Sequence, residues 1–394
     1  MGRIDRSTSQ FLDAARWISA LAVVVSHVCA MLLIDDNQVT QPGLALQALF
    51  YLKNTGHLAV VIFFVLSGYL VGGQELLRLL DGRRFDLARY GIQRFSRIYT
   101  VLVPALLLTL LLDQAGQAFF NTSEIYTNPA LQNVGSLMYP IAGRDDSTTF
   151  LGNLLMLQTI AVEPFGGDGP LWSLANEWWY YAIFGLFLVF ASPAHAPAWR
   201  AVAMAASLVL LAVLPASISL WFLLWLLGVG AALLGRSWKG IAFSPALAVL
   251  TAGAALSLLG MSWSSLLADL PLEQQNAAKL SIDAVAALAF VLALLSARNA
   301  VFRGGGAVHA TLASFSYSLY AVHFPLLVFL AAAANTLFGL RFGQPLGVAS
   351  LACTVLITLL IAAAAWCIAQ TTERHTHMVR AALTTLMTRQ PKLG

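Results

Sequence analysis

Charge is scarce in this sequence. Only 10% of its 394 residues are Asp, Glu, Lys or Arg, against about 25% in an ordinary soluble domain, while 59% are hydrophobic. A water-soluble fold of this length cannot hide so much apolar surface, so a soluble globular enzyme is excluded. Cysteine is equally sparse. Cys29, Cys353 and Cys367 all fall in apolar runs, which reads as buried packing and excludes a disulfide scaffold. There is no His-Glu-x-x-His helix and no phosphate-binding glycine loop, so no metal and no permanently bound cofactor are expected. No internal repeat is visible, which weakens a repeat-built transporter, and no nucleic-acid partner is expected.

What the chain does have is apolar runs of about 17 to 25 residues, each long enough to cross a bilayer. They fall near 12–34, 58–74, 98–113, 171–191, 199–215, 218–235, 244–262, 280–297, 311–335 and 346–370. The expected fold class is therefore all-α, a polytopic integral membrane protein of about ten transmembrane helices. One membrane domain covers 1–375, followed by a tail at 376–394. The first run, Phe11 to Ile34, is too long for a signal-peptide core and is read as retained. The shortest pieces, 98–113 and 199–215, are where the count is most exposed to error.

With a cytoplasmic N-terminus, all but four of the 22 basic residues fall inside; Lys53, Arg144, Lys279 and Arg341 are the exceptions. That is the asymmetry of the positive-inside rule, and it puts both termini in the cytoplasm. The longest loop, 114–170, then lies outside. With its border residue it carries Asp113, Glu124, Asp145, Asp146, Glu163 and Asp168, opposed only by Arg144. Its apolar stretch Phe150 to Ile160 is too short to span and is expected to be re-entrant or interfacial. A long loop of this kind suits recognition of an acceptor.

An ionisable group at membrane depth costs about 2.5 to 3.5 kcal/mol on insertion scales, so each one is a functional candidate. His27 lies eleven residues beyond Arg16, about 16 Å along a helix and close to three full turns, so the two share a face. Ser67, Glu177 and His323 reach comparable depth in their own runs. Glu177 is expected to orient the His27 imidazole. The stretch Gln74 to Arg97 carries six arginines, and Arg94 with Arg97 forms an i, i+3 pair. A positive-inside loop explains most of them, yet guanidinium groups also suit phosphate. The depths suggest a donor whose phosphates sit at the basic inner surface while a long arm carries a thioester toward His27 as base. His323, Ser67 and Trp172 would line the site.

Five segments in order resemble the acyltransferase 3 family of membrane acyltransferases. They are Phe11 to His27 with its arginine, ten residues and histidine, Phe63 to Leu70, Arg94 to Tyr99, Pro170 to Tyr181, and Ser316 to Leu326. The resemblance implies transfer of an acetyl or related acyl group from acyl-coenzyme A, acetyl-coenzyme A first, to a hydroxyl of a surface polysaccharide or lipid-linked glycan. It implies a multi-pass protein of a bacterial inner membrane, in contact with membrane lipids. By it, Arg16 and His27 occupy the arginine-histidine motif and Arg94 and Arg97 the Arg-x-x-Arg motif; from depth, Glu177 is the further catalytic candidate, and Ser67, Trp172, Ser173 and His323 are candidates to line the site. Two positions depart from the family pattern. Asn176-Glu177 stands where two adjacent acids are common, and Glu373-Arg-His stands where Glu-Arg-Pro is common. A transporter or flippase of a lipid-linked glycan is the alternative from another class. The acceptor, the acyl chain and the oligomeric state are left open at this point.

Overall fold

The structure, a computed structural model, describes residues 4–34, 39, 43–128, 137, 140–262, 271–302 and 305–389. Among them every regular element is helical. In chain order these are α1 (Arg6–Leu32), α2 (Leu44–Ser67), a π-helical turn (Gly68–Gly73), α3 (Gln74–Leu80), α4 (Leu87–Phe119), α5 (Ser147–Leu154) and α6 (Trp172–Ala191). They continue with α7 (Pro197–Val213), α8 (Ala216–Leu234), α9 (Phe243–Ser262), α10 (Leu272–Ser296), α11 (Gly306–Ala313), α12 (Ser316–Phe338), α13 (Val348–Thr371) and α14 (Thr376–Arg389). The all-α, polytopic expectation holds because a bilayer leaves no water to satisfy backbone N–H and C=O groups, and a helix satisfies them within itself.

Nine helical stretches among the described residues are long and apolar enough to cross a membrane, one fewer than the ten expected. The short run at 98–113 turns out to be the middle of α4, 33 residues long with Pro104 inside it. The other short run becomes α7, whose 17 residues rise about 25 Å against a hydrocarbon core of about 30 Å. It is the piece that falls short. Of the expected tail, Thr376–Arg389 is helical as α14, and 390–394 lie outside the described residues.

Helix ends are set by identifiable side chains. Asp5 accepts the Thr8 N–H at 2.9 Å and its hydroxyl at 2.7 Å, capping α1. At the other end Lys53 Nζ donates to the Leu33 and Ile34 carbonyls at 2.9 and 2.7 Å. A cation there meets the negative end of the helix dipole. This is one of the four basic residues that broke the inside bias.

The chain forms two compact units. The first comprises Met1–Ser19, His57–Phe95 and Asn176–Ala313; the second comprises Ala20–Gly56, Ser96–Ala175 and Ser314–Gly394. In the first, Phe11 stacks on Phe290 with centroids 5.7 Å apart, among buried Val61, Val65, Leu224 and Leu294. Lipid is as apolar as these side chains, so packing and close approach, rather than escape from water, hold such helices together. The π-helical turn supplies that approach. A Cβ on Gly68 would stand 1.9 Å from the Trp225 carbonyl oxygen, and one on Gly228 would stand 2.0 Å from that of Val65. The Ser-Gly-Tyr segment is thus glycine where two backbones touch.

In the second unit α12 is buried over most of its length, and α13 packs beside it. The Thr354 and Thr358 hydroxyls bond back to carbonyls four residues earlier, at 2.9 and 2.8 Å. The stretch expected to be re-entrant is α5 followed by a turn with positive φ at Met156 and Thr159. Asn153 ties it down, donating to the Glu163 carbonyl at 2.8 Å and accepting the Phe165 N–H at 3.1 Å. Farther along, the Gly167 N–H donates to Asp113 at 2.7 Å and the Thr109 hydroxyl donates to Asp168 at 3.3 Å. Both carboxyl groups are fully buried.

Candidate active site

The most informative contact lies in the second unit, between α1 and α12. His27 Nδ1 and His323 Nε2 are 2.8 Å apart, and the two rings lie 12° from parallel. His323 is fully buried, and its Nδ1 stands 2.6 Å from the Tyr320 carbonyl oxygen. A carbonyl only accepts, so His323 carries its proton on Nδ1 and, when neutral, offers Nε2 as an acceptor. His27 must then donate from Nδ1, which leaves its Nε2 unprotonated. No other partner holds that nitrogen among the described residues. Phe324 closes one side of the His27 ring at 5.2 Å, edge to face.

The same helix α12 anchors the start of α6. Tyr320 donates to the Pro170 carbonyl at 3.1 Å, and the Ser173 and Tyr320 hydroxyls are 2.5 Å apart. Ser173 is buried and Trp172 half-buried beside it. A tyrosine three residues before His323 therefore fixes the Trp172-Ser173 segment through its hydroxyl and the His323 tautomer through its carbonyl.

Arg97 belongs to this unit too. It pairs with buried Glu373 at 3.0 Å and lies 4.7 Å over the Tyr317 ring. The other Glu373 oxygen accepts the Ser318 N–H and hydroxyl, both at 3.0 Å. Glu373 thus clasps the first turn of α12 to α4, a role that the departure from Glu-Arg-Pro gave no reason to expect.

The first unit holds a separate polar chain. Trp225 Nε1 donates to Ser67 Oγ at 3.0 Å, the Ser67 and Tyr181 hydroxyls are 3.1 Å apart, and Tyr181 donates to Glu177 at 2.5 Å. Arg94 sits 5.7 Å from the ring centroids of both Tyr90 and Tyr181, a cation held between two aromatic faces. Its Nε is buried with no hydrogen-bond partner among the described residues. Glu177 therefore orders Tyr181; the group that orients the His27 imidazole is His323. Arg16 faces Asp13 at 3.9 Å, too long for a strong ion pair.

Sequence reasoning singled out His27, His323, Ser67 and Glu177 by depth but passed over Asp283 and His57, which bond at 2.8 Å in the first unit. Asp283 is nearly fully buried within α10, so its depth alone marked it. Tyr181, Tyr320 and Trp225 gave no comparable signal, because an aromatic in an apolar run reads as packing.

Comparison with known proteins gives one family match, to the acyltransferase 3 family, described as an acyltransferase domain, over residues 9–368. The chain is 29% identical over 258 residues to "Acyltransferase MdmB" of Streptomyces mycarofaciens, a stretch covering 58% of each protein. It is 27% identical over 178 residues to "O-acetyl transferase" of Shigella phage Sf6, covering 45% of each. The chain thus aligns with about half the length of these curated relatives. No solved structure matches it. With apolar helices enough for a multi-pass membrane protein and a match that runs from α1 to α13, the chain belongs to the acyltransferase 3 family.

Proposed function

We propose that this protein transfers an acetyl or related acyl group from acyl-coenzyme A to a hydroxyl of a cell-surface polysaccharide or lipid-linked glycan, as a multi-pass protein of a bacterial inner membrane with its basic loops cytoplasmic. The observation that carries the reading is the His27–His323 bond. It holds His27 by Nδ1 and leaves Nε2 unprotonated on the far side of the ring, which is what a general base needs before substrate arrives.

In this mechanism His27 Nε2 takes the proton of the acceptor hydroxyl as its oxygen attacks the thioester carbonyl. A C–O bond forms, the tetrahedral oxyanion collapses, and the C–S bond breaks. The imidazolium then returns the proton to the leaving thiolate, giving an ester and free coenzyme A. His323 holds the tautomer throughout and stabilises the imidazolium by accepting from Nδ1. Trp172 and Ser173, fixed through Tyr320, line the acceptor side.

Arg16 lies about 16 Å from His27 along α1, too far to act on the same atom. That spacing along one helix suits the two ends of an elongated donor, with Arg16 near its phosphates. Arg94, with a free Nε between two rings, is the better donor ligand of the Arg-x-x-Arg pair; Arg97 spends its charge on Glu373. Glu177, through Tyr181, keeps the face on which Arg94 rests in place.

The test is acetyl-coenzyme A turnover by the purified protein in lipid nanodiscs with glycan acceptors. His27→Ala is expected to lower kcat by about 10²–10⁴-fold with an unchanged melting temperature. Wild-type turnover retained by His27→Ala would remove His27 as the base.

A further inference from the structure

Between α3 and the start of α4, within the first unit, the chain folds back to form a cleft of about 220 Å³. Gly82, at φ +77°, makes the reversal, and the Arg83 N–H closes it on the Arg78 carbonyl at 3.0 Å. Arg78, Arg83, Arg84 and Arg89 all line this cleft, over a floor that includes Phe85 and Tyr90. Two acids, Glu75 and Asp86, line it as well, each with a partner in the same cleft. Glu75 pairs with Arg78, and Asp86 caps α4 by accepting the Arg89 backbone N–H at 3.0 Å. Among the described residues no ion pair holds Arg83, Arg84 or Arg89, and four arginines against two acids leave the lining of the cleft basic.

A loop whose charges serve only to keep it on one side of a membrane has no reason to gather them. Like charges in solvent spread apart, and a concave wall raises their mutual repulsion by excluding water. Gathered, unpaired guanidinium forks match the oxygens of phosphate groups. The cleft also connects to the donor residues already described, because Tyr90 in its floor is the ring that supports Arg94, about one helical turn farther along α4.

We infer that this arginine cleft binds the phosphates of the nucleotide end of the acyl donor, a site distinct from the Arg-x-x-Arg pair. The inference rests on the acyl-coenzyme A reading above. Its ligand chemistry is a clustered phosphate, which an anionic lipid headgroup would share.

The test compares wild type with the triple variant Arg83→Gln, Arg84→Gln, Arg89→Gln, in nanodiscs of zwitterionic lipid and again with anionic lipid added. Calorimetric binding of adenosine 3′,5′-bisphosphate needs no turnover, and it is expected to weaken about tenfold or more in the variant. The KM for acetyl-coenzyme A should rise by a similar factor with kcat held. The kcat/KM for acetyl-pantetheine, a thioester without the nucleotide, should be the same in both proteins. Equal bisphosphate affinity in both proteins would overturn the inference. So would a defect in the variant that appears only with anionic lipid, which would assign the cleft to a headgroup. If wild type binds the bisphosphate through the cleft but turns over no acyl-coenzyme A, the proposed function fails while the phosphate site stands. Arg84→Gln alone, expected to show a smaller shift in the same direction, guards against a folding defect in the triple variant.

Discussion

The histidine pair and the arginine cleft use polar groups in opposite ways. At His27 and His323 nearly every atom is assigned: a carbonyl fixes one proton, that proton fixes a ring, and the ring fixes a second imidazole. In the cleft Arg83, Arg84 and Arg89 enter no ion pair among the described residues. Buried groups must be satisfied internally or incur the cost of desolvation, so a group deep in the bundle is positioned by its neighbours. Exposed charges carry no such penalty and can wait for a ligand. The first region is built to hold a geometry and the second to recognise a charge.

Substitutions separate the two. His27→Ala has the largest expected effect, on kcat. Next, His323→Leu should lower kcat about 10–100-fold, the scale seen when a partner that orients a histidine is removed, without raising the KM for acetyl-coenzyme A. His323→Gln, whose amide oxygen can still accept from His27 Nδ1, should restore part of that loss. Equal impairment of His323→Gln and His323→Leu would show that His323 does not act by accepting from His27 Nδ1. The cleft variants should show the reverse split, in KM rather than kcat.

A smaller effect is expected on stability. Glu373→Ala leaves the Ser318 N–H and Arg97 without their acceptor. Breaking a buried pair costs several kcal/mol, but Arg97 is about a third exposed, so solvent screening reduces the expected loss to about 1–3 kcal/mol. Chemical denaturation in detergent would measure it, and an unchanged midpoint would show that the clasp on α12 contributes little.

The smallest effect concerns pH. Burial, and then the neighbouring Asp113 carboxyl, hold Asp168 well above the usual carboxylate range, against a weaker pull from the Thr109 hydroxyl. A raised acid favours the folded state at low pH, and that contribution is lost as pH rises from the ordinary carboxylate value through the folded one. Asp168→Asn should therefore flatten the fall in stability over that window. Melting curves from pH 4 to 8 that match wild type would reject the assignment.

Much of this was legible beforehand. Hydropathy alone located the helices, because each span must be apolar along its whole length, and depth alone marked His27 and His323. The count was not fully legible. A window centred on 98–113 missed how far α4 extends through Arg94 and Arg97, because charged residues at a helix end do not stop the helix. Glu373 was noticed only as a departure from a pattern. That it clasps Ser318 was invisible because the two lie 55 residues apart.

The sequence by itself determined that the chain spans a membrane with helices, which residues bring charge or imidazole into it, and how far along each helix they lie. All of these follow from one-dimensional quantities, apolar length and rise per residue. Only the tertiary structure decided which polar groups are partners. His27 meets a histidine 296 positions away, and Glu177 meets Tyr181 one turn along its own helix. A buried polar atom takes whichever partner the packing brings within about 3 Å, and that distance is set by how helices close on one another.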